Sequence, residues 1–399
     1  MDKDIRKSRI GIDARFYGPL GKGLGRYVQE IVDRVIRLQA ANEPEIEFVI
    51  FLSPGNYEEY VCPNSNVRKV LVPQRWYSWR EQVIFPIILR REKLSLIHFP
   101  HFNVPLLTPS PFIVTIHDLI LTKFPSRRAS MLPPLLYWIK QAAYRLVVRT
   151  AVRRAKAIIA VSEFTKKDII EQFSASPAKI FITYEGVVDF NRTENIEEKG
   201  ASILGEYGIS RPYLLYVGNA YPHKNLSRLL SSYLQVRKIL PDLSLVMVGK
   251  NDYFYQRVRA EAQQLTLAVV MNGQGKIIFP GYVPDEELGN LYRNALLYVF
   301  PSLYEGFGLP PLEAMSCSCP VASSNQASLP EILGEAATYF DPYDVSNMSA
   351  IISDLAVDEK RREEMISAGR EHIKKFSWQR CAEQTLAIYL QIISHNAKR

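Results

Sequence analysis

The segment FPSLYEGFGLPPLEAMSCSCPVASSNQASLPEI, residues 300–332, contains a strand end, a glycine-containing loop and a helix start. An apolar run ends at Phe300, glycines bracket Phe307, and Pro310 and Pro311 suit a first helical turn, where their missing N–H groups would have no partner. The loop therefore leads directly into a helix N-terminus. Backbone N–H groups and the positive end of the helix dipole then point at one place, which suits a diphosphate.

Two carboxylates accompany this loop, with Glu305 before the helix and Glu313 within it. A carboxylate accepts two hydroxyl hydrogen bonds at once, so Glu313 is a candidate to hold a ribose diol and Glu305 to meet the hydroxyls of a transferred sugar. The spacing alone fits equally a surface glutamate followed by a helix-start glutamate that complements the dipole.

Outward from this segment, short runs rich in Val, Ile and Leu alternate with longer amphipathic stretches, which indicates an α/β protein with parallel sheets covered by helices. The predicted strands are Arg9–Asp13, Glu47–Leu52, Lys69–Val72, Leu94–Phe99, Phe112–His117, Ala157–Val161, Lys179–Tyr184, Tyr213–Val217, Leu243–Val248, Lys276–Phe279, Leu296–Phe300, Cys319–Ala322 and Thr338–Phe340.

The chain of 399 residues is long enough for two domains. Between the two sets of strands, Asp189–Gly208 contains the polar stretch NRTENIEEKG, which we interpret as the domain boundary. The net charge of +8 favours phosphate-rich partners such as nucleotides, anionic lipid or nucleic acid, and fits equally a generally basic surface.

Four scattered cysteines do not suggest a disulfide framework, and neither a signal peptide nor a membrane-spanning run is evident. We therefore expect a cytoplasmic location, either soluble or peripheral on the inner face of a membrane.

The pair Glu305 and Glu313 within EGFGLPPLEAM resembles the E-x7-E motif of retaining glycosyltransferases of family 4, which have the GT-B fold. Further segments agree in order from about residue 9 to residue 392: GIDARFYG, GLGRYVQEI, IHD, AVSEFTKKDI, YVGNAYPHKNL, GYVPDEEL and FSWQRCAEQTLAIY. The resemblance implies two Rossmann-like, doubly wound parallel-sheet domains facing each other across a donor-binding cleft. Residues 1–190 would form the acceptor domain, completed by a C-terminal helix at 377–399, and residues 205–376 the donor domain.

The same resemblance implies roles for individual residues. Glu305 would lie near the donor sugar and Glu313 on the ribose, while Lys224 would neutralise the diphosphate as it departs. The residues proposed to take part in catalysis are His117, Lys224 and Glu305. Those proposed to bind the donor are Gly23, Gly25, Asn219, His223, Val283, Gly306, Phe307, Gly308, Leu309 and Glu313.

The sequence departs from the family at Asn219, where many members have an arginine. One positive charge fewer on the diphosphate leaves the second contact open, with Arg228, His223 and Arg26 as candidates. His117 ends a predicted strand, where a histidine also commonly serves as a structural hydrogen-bonding residue.

No metal or cofactor is expected. The letters D-x-D occur only in the charged tail Asp2-Lys3-Asp4, and His and Cys residues are not clustered as ligands. The spacing GPLGKGLG is not the dinucleotide fingerprint G-x-G-x-x-G, which disfavours an NAD-dependent dehydrogenase.

The segment Leu132–Lys156 is predicted to be a helix with basic residues along it. It fits either contact with anionic lipid headgroups or ordinary packing on the sheet with a solvated basic face. No nucleic-acid-binding module accompanies the charge, so nucleic acid is not an expected partner.

The resulting hypothesis is metal-independent transfer of a hexose, with mannose from GDP-mannose preferred, to a glycan or lipid-linked saccharide acceptor with anomeric retention. The mannose preference rests on the IDARFYG and PHKNL segments, which resemble those of mannosyltransferases. A GT-B-fold epimerase or phosphorylase, and a non-catalytic protein that binds sugar nucleotides, are the alternatives.

Overall fold

The computed structural model describes residues 8–18, 22–41, 46–109, 111–124, 133–188, 190, 202–269 and 277–397. The chain forms two compact units. Of the described residues, those within 8–124, 133–186 and 376–397 form the first unit, and those within 187–375 form the second. Residues 191–200 of the predicted linker and the Asp2-Lys3-Asp4 tail lie outside the described residues.

The first unit is built on a parallel sheet with the strand order β3-β2-β1-β4-β5-β6-β7. Ile10 on β1 lies opposite Phe48 on β2 and Leu96 on β4, and all three side chains are buried. The strands are β1 (Ser8–Asp13), β2 (Ile46–Leu52), β3 (Val67–Leu71), β4 (Leu96–Phe99), β5 (Phe112–Ile116), β6 (Ala157–Ala160) and β7 (Ile180–Ile182).

Helices cover both faces of this sheet, which explains why its central strands are apolar on both sides. On one face pack α1 (Lys22–Ala41) and α14 (Trp378–Ala397), and on the other α2 (Trp79–Glu92), α4 (Pro134–Arg154) and α5 (Glu163–Phe173). A short helix, α3 (Ile120–Lys123), follows β5.

The C-terminal helix α14 is tied to the first unit by a buried polar chain. Tyr389 and Thr115 contact the two ring nitrogens of His98 at 2.6 and 2.8 Å, and Thr115 also contacts the hydroxyl of Tyr27 at 3.1 Å. Burial lowers the pKa of His98 to about 3, so its ring is neutral and this series of hydrogen bonds contains no buried charge.

The second unit repeats the design with a parallel sheet of order β10-β9-β8-β11-β12-β13. Its strands are β8 (Tyr213–Val217), β9 (Ser244–Val248), β10 (Ile277–Gly281), β11 (Leu297–Phe300), β12 (Val321–Ser324) and β13 (Ala337–Phe340). Its helices are α6 (202–206), α7 (Leu226–Ile239), α8 (Tyr253–Val269), α9 (Asp285–Asn294), α10 (Leu309–Ser316), α11 (Leu329–Leu333), α12 (Val345–Val357) and α13 (Glu359–His372).

Each sheet changes direction of winding at one point, between β1 and β4 in the first unit and between β8 and β11 in the second. Loops that leave neighbouring strands at such a switch point diverge to opposite faces, and ligands bind in the crevice outside the strand ends. The α/β class and the doubly wound parallel sheets predicted from the sequence are confirmed.

All thirteen predicted strands occur; β8 has its predicted bounds, and the others differ by one or two residues at one or both ends. The strand β12 is shifted at both ends, because it was predicted as Cys319–Ala322 and spans Val321–Ser324. Ser318 has a φ of +60° and the N–H of Cys319 donates to the carbonyl of Ala314, so these residues still belong to the end of α10, and Pro320 has no N–H to give to a sheet.

The helix predicted over Leu132–Lys156 ends at Arg154, because Ala155 has left the helical conformation. The predicted starts of this helix at Leu132 and of β10 at Lys276 lie outside the described residues. Within the described ranges, every helix is too short or too polar to cross a bilayer.

Candidate active site

Lys224 and Glu305 form an ion pair at the switch point of the second sheet. Lys224 ends a 3-10 turn, Pro222–Lys224, after β8, and Glu305 lies in the loop after β11. The ammonium Nζ lies 2.5 Å from Oε1 of Glu305, and the side chains are only 10% and 12% exposed. Lys224 also lies over the ring of Phe300, 5.2 Å from its centroid. The fold thus brings together two predicted residues that are 81 positions apart.

Backbone contacts hold the two loops in place. The N–H of Leu303 donates to the carbonyl of His223 at 2.7 Å, and the Asn225 amide donates to the carbonyls of Pro301 and Pro342 at 3.2 and 2.8 Å. The Ser328 hydroxyl contacts the carbonyl of Glu305 at 2.9 Å. These contacts fix the two loops and with them the positions of Lys224 and Glu305.

Asn225 and Ser328 were not predicted to be parts of the site. Asn225 has a φ of +61°, a left-handed conformation that Asn adopts more readily than most residues. Its place between a 3-10 turn and the start of α7 is the local signal that could have identified it. Ser328 carries no such signal, because its partners are contributed by a loop more than twenty residues away.

The loop after β11 leads into a helix N-terminus, as predicted. Helix α10 begins at Leu309 with prolines in its first turn, and Gly308 precedes it with a φ of +99°. A β-carbon at Gly308 would lie 2.8 Å from Leu329, so both the backbone and the space favour glycine. Pro310 and Pro311 have no N–H, so the positive end of the helix dipole is what suits this end of α10 to an anion.

Glu313 is the fifth residue of α10 and is buried. It accepts a hydrogen bond from the hydroxyl of Tyr292 at 3.3 Å. Burial and the neighbouring charge of Glu313 raise the pKa of Tyr292 well above its ordinary value, so the phenol remains a donor to the carboxylate. Tyr292, on α9, was not predicted.

Asn219 and His223 lie in the loop between β8 and α7. The side-chain oxygen of Asn219 accepts from the N–H of Tyr221 at 3.3 Å, so this residue shapes the loop. Burial and the charge of Lys224 lower the pKa of His223 to about 4, so His223 is neutral at pH 7. It therefore cannot provide the second positive charge considered for it.

Arg228 lies in the same region. Its guanidinium donates to Oδ1 of Asn225 at 2.9 Å and lies over the ring of Tyr343, 5.4 Å from the centroid. Beside it is a cavity of about 450 Å³ that Phe254 and Arg257 also line. A second cation near the Lys224 loop is thus available within the second unit.

The remaining predicted residues are more scattered. Val283 is buried just after β10, which is two strands from β8 in the sheet. Gly23 and Gly25 lie at the start of α1 in the first unit, where a β-carbon on Gly25 would approach the carbonyl of Gly18 to 2.1 Å. Gly25 therefore permits close packing of α1 on the preceding turn, whereas Gly23 has open space.

His117 follows β5 in the first unit and pairs with Glu185, a residue that sequence reasoning missed. Its Nδ1 lies 2.9 Å from Oε1 of Glu185 and its Nε2 lies 3.0 Å from the carbonyl of Pro100. The edge of the Tyr27 ring packs against the imidazole at a centroid distance of 4.5 Å. Since 68 residues separate the ion pair, no local pattern could have indicated it.

Both nitrogens of His117 donate in this arrangement, because a carbonyl and a carboxylate only accept. Although burial lowers the pKa of His117, the hydrogen bond and charge of Glu185 outweigh it and raise the pKa above its usual value. The ring is thus held as a cation with no lone pair to accept a proton. Both N–H groups are already engaged by Glu185 and Pro100, so the ring can stabilise nearby negative charge through its own charge but is unsuited to act as a base.

No group of three or more His, Cys, Asp or Glu side chains arranged to hold a metal ion occurs among the residues that the structure describes.

Comparison with known proteins gives a consistent family. Residues 206–372 match the model of glycosyl transferases group 1, and residues 21–189 match that of Glycosyltransferase Family 4. O-antigen chain mannosyltransferase B of Escherichia coli is 33% identical over 310 residues, covering 75% of this chain and 75% of that protein. O-antigen chain mannosyltransferase RfbU of Salmonella typhimurium is 27% identical over 305 residues, covering 75% and 76%.

Among solved structures, the sucrose-phosphate synthase from Thermosynechococcus elongatus superimposes with a TM-score of 0.75 at 19% identity, covering 97% of this chain and 100% of that chain. At this level of identity the similarity shows the shared GT-B fold alone.

Proposed function

Since the chain belongs to the group 1 glycosyltransferases of family 4 and is a glycosyltransferase, we propose that it transfers mannose from GDP-mannose to a glycan or lipid-linked saccharide. The proposal includes retention of the anomeric configuration and independence from metal ions and cofactors. Mannose is proposed because two relatives that match three quarters of the chain are named mannosyltransferases.

The observation that carries the proposal is the Lys224–Glu305 pair beside the N-terminus of α10. A nucleoside diphosphate needs compensation of its negative charge, and an ammonium together with a helix N-terminus provides it at one place. In the free protein Glu305 already neutralises Lys224. The diphosphate must therefore compete with that carboxylate for the ammonium.

We propose different tasks for the two carboxylates. Glu313 is buried on α10 and is proposed to accept hydrogen bonds from the ribose diol. Glu305 precedes the helix and is proposed to accept from hydroxyls of the sugar once its hold on Lys224 has loosened. Carboxylate-to-hydroxyl bonds are charge-assisted and so contribute more to binding than neutral ones.

In the proposed reaction the acceptor oxygen forms a bond to C1 of mannose on the face from which the diphosphate leaves. The bond between C1 and the phosphate oxygen breaks, and that oxygen takes the proton of the acceptor hydroxyl. Lys224 and the N-terminus of α10 stabilise the charge that develops on the leaving group. The protein thus contributes positioning and electrostatic stabilisation, which usually provide most of the rate enhancement in such chemistry.

His117 is proposed to act electrostatically in this scheme. Its two N–H groups are engaged by Glu185 and Pro100, so its charge can stabilise nearby negative charge but the ring cannot remove a proton from a hydroxyl. Proton transfer to the leaving phosphate needs no protein base, so the state of His117 is compatible with the proposal.

The donor is tested by a thermal-shift screen of nucleotide sugars, because a ligand that binds only the folded state stabilises it by about 2.7 kcal/mol at 100 times its Kd. We expect GDP-mannose to give the largest shift. Turnover of the best donor is then measured with excess chelator and with added Mg²⁺ or Mn²⁺, and should be the same in both.

A larger shift with UDP-glucose or UDP-N-acetylglucosamine would contradict the assignment of the donor. Loss of turnover in chelator with rescue by a divalent ion would contradict metal independence. Conversion of the sugar nucleotide without any glycosylated product would instead indicate an epimerase.

A further inference from the structure

Helix α4 has an unusual distribution of residues between its two sides. Its inner side, with Tyr137, Gln141 and Val148, is buried against the sheet. Large apolar side chains also lie on the outer side, where a helix of a globular protein normally carries polar residues. They are Leu135, Leu136, Trp138, Ile139 and Leu146, with Leu135 as much as 72% exposed.

The charged residues of α4 are all of one sign. The helix contains no Asp or Glu, and Lys140, Arg145, Arg149 and Arg153 are exposed on it. No carboxylate on the helix neutralises these cations.

Helix α2 presents the same combination. Trp79, Val83 and Ile87 recur every four residues along its outer side, and Trp79 is 73% exposed. Arg90 and Arg91 extend that side toward the end of the helix, and both are exposed. The buried side of α2, with Phe85 and Leu89, packs into the same core as α4.

The two helices lie on one face of the sheet and are linked by the loop that follows β4. The N–H of Leu106 donates to the side-chain oxygen of Gln82 on α2 at 2.9 Å. The guanidinium of Arg154 on α4 donates to the carbonyl of Thr108 at 2.7 Å. Between these anchors Leu107 is 63% exposed, so the apolar side chains continue from one helix to the other.

We propose that this basic apolar face, formed by the outer sides of α2 and α4 together with Leu107, binds the surface of an anionic lipid bilayer. With Ile84 on α2 included, ten of the 22 large apolar side chains exposed in the described part of the chain lie on these two helices and at Leu107. Exposed tryptophans and aliphatic residues beside arginines are the composition of interfacial helices, whose apolar side enters the headgroup region while the cations meet anionic lipid.

Charge decides between a bilayer and a second copy of the chain. Two copies joined through this face would bring the uncompensated cations of α4 together, and like charges in contact are destabilising. An anionic headgroup layer supplies the missing negative charge and accepts the apolar side chains at once. This inference concerns attachment to the bilayer and does not depend on which donor the enzyme uses.

The test is flotation of the full chain with vesicles of phosphatidylcholine alone or with about 30% phosphatidylglycerol. We expect binding only to the anionic vesicles, weakened by salt because the attraction is screened. The variant Arg145→Glu/Arg149→Glu/Arg153→Glu should bind at least about 100-fold more weakly, since each basic residue near the surface contributes roughly 5-fold.

A control variant makes the same change of charge elsewhere. Arg37→Glu/Lys238→Glu/Lys360→Glu alters exposed cations on α1, α7 and α13, outside the basic apolar face. It should lose less than one tenth of the binding energy that the α4 variant loses. Equal losses in the two variants, or no binding of the wild-type chain to anionic vesicles, would overturn the proposal.

Insertion of the apolar residues has a separate readout. Trp79 and Trp138 should shift their fluorescence to shorter wavelength on anionic vesicles and be quenched by brominated lipid, and Trp79→Phe/Trp138→Phe should abolish both changes. Binding without any quenching would show attraction at a distance and contradict the apolar part of the proposal. Calorimetric binding of GDP by the α4 variant, measured without lipid, checks that folding and the nucleotide site are intact.

Discussion

Competition between Glu305 and the donor diphosphate for Lys224 can be measured with four proteins: wild type, Glu305→Gln, Lys224→Met, and the double variant. Met keeps most of the length and packing of the lysine stem over Phe300 while removing its charge. GDP is the ligand, since it contains the diphosphate and lacks the sugar that Glu305 is proposed to contact.

The expected magnitudes follow from the geometry of the pair. Lys224 donates to Glu305 at 2.5 Å, and both side chains are largely buried. A hydrogen bond between charged groups contributes about 1.5–3 kcal/mol and a neutral one about 0.5–1.5 kcal/mol. Lys224→Met should therefore weaken GDP about 10- to 150-fold. Replacing the carboxylate by an amide makes Lys224 easier to release by about 1 kcal/mol, which is about 5-fold in Kd.

The effect of Glu305→Gln is measured with and without Lys224, which isolates the release of Lys224 from Glu305. Glu305→Gln also removes a negative charge near the phosphates, but that effect is present whether or not Lys224 remains. We expect Glu305→Gln to tighten GDP binding about 5-fold more in the wild-type background than in the Lys224→Met background. Isothermal titration calorimetry at one ionic strength provides the four constants.

A variant of matched charge controls for long-range electrostatics. Glu359→Gln removes an exposed carboxylate at the start of α13 in the same unit, and should leave the Kd within about 2-fold. Equal effects of Glu305→Gln in the two backgrounds would refute the competition, because Lys224 would then keep its bond to Glu305 in the complex. A loss of GDP affinity in Glu305→Gln would show that Glu305 itself holds the nucleotide.

Three further predictions concern Glu313, Glu185 and Asn225. Glu313→Gln should weaken GDP and GDP-mannose equally, by about 10- to 100-fold in calorimetry, because the ribose is unchanged during reaction; a loss confined to GDP-mannose would contradict this. Glu185→Gln should lower the free energy of unfolding in urea by about 1.5–3 kcal/mol at pH 6. That deficit should shrink toward pH 9, because the raised pKa of His117 stabilises the fold only while the ring is protonated; a constant deficit would argue against the ion pair. Asn225→Ala should cost about 2–4 kcal/mol, since it removes two hydrogen bonds and leaves a left-handed backbone without Asn, and Asn225→Gly should cost less; thermal unfolding that matches wild type would exclude this anchoring role.

Much of the fold was predictable from local sequence. Every strand of the two sheets was expected because buried parallel strands need apolar residues on both faces, and such runs are visible in one dimension. Strand ends were less predictable. At Cys319 the hydrogen bond to Ala314 decides the boundary, and an apolar residue gives no sign of whether its N–H bonds to a helix or to a sheet.

The motif segments indicated the family because they combine residue type with order along the chain. Glu305, Glu313 and Lys224 stand in segments that resemble family motifs, and the structure places Lys224 and Glu305 in contact. Their roles in binding and catalysis remain predictions that the variants above test.

The sequence by itself determined the alternation of elements, the glycine that precedes α10 and the residue types available for a diphosphate site. Those features depend on neighbouring residues, on backbone conformation and on burial pattern. Only the tertiary structure decided which charges meet: Lys224 with Glu305, and His117 with Glu185. The partners in each pair come from different loops, and a distance along the chain does not determine a distance in space until the sheet has set the order of its strands. Charge state follows from that packing, so a neutral His223 and a positively charged His117 could be assigned only after folding had placed a lysine beside one and a glutamate beside the other.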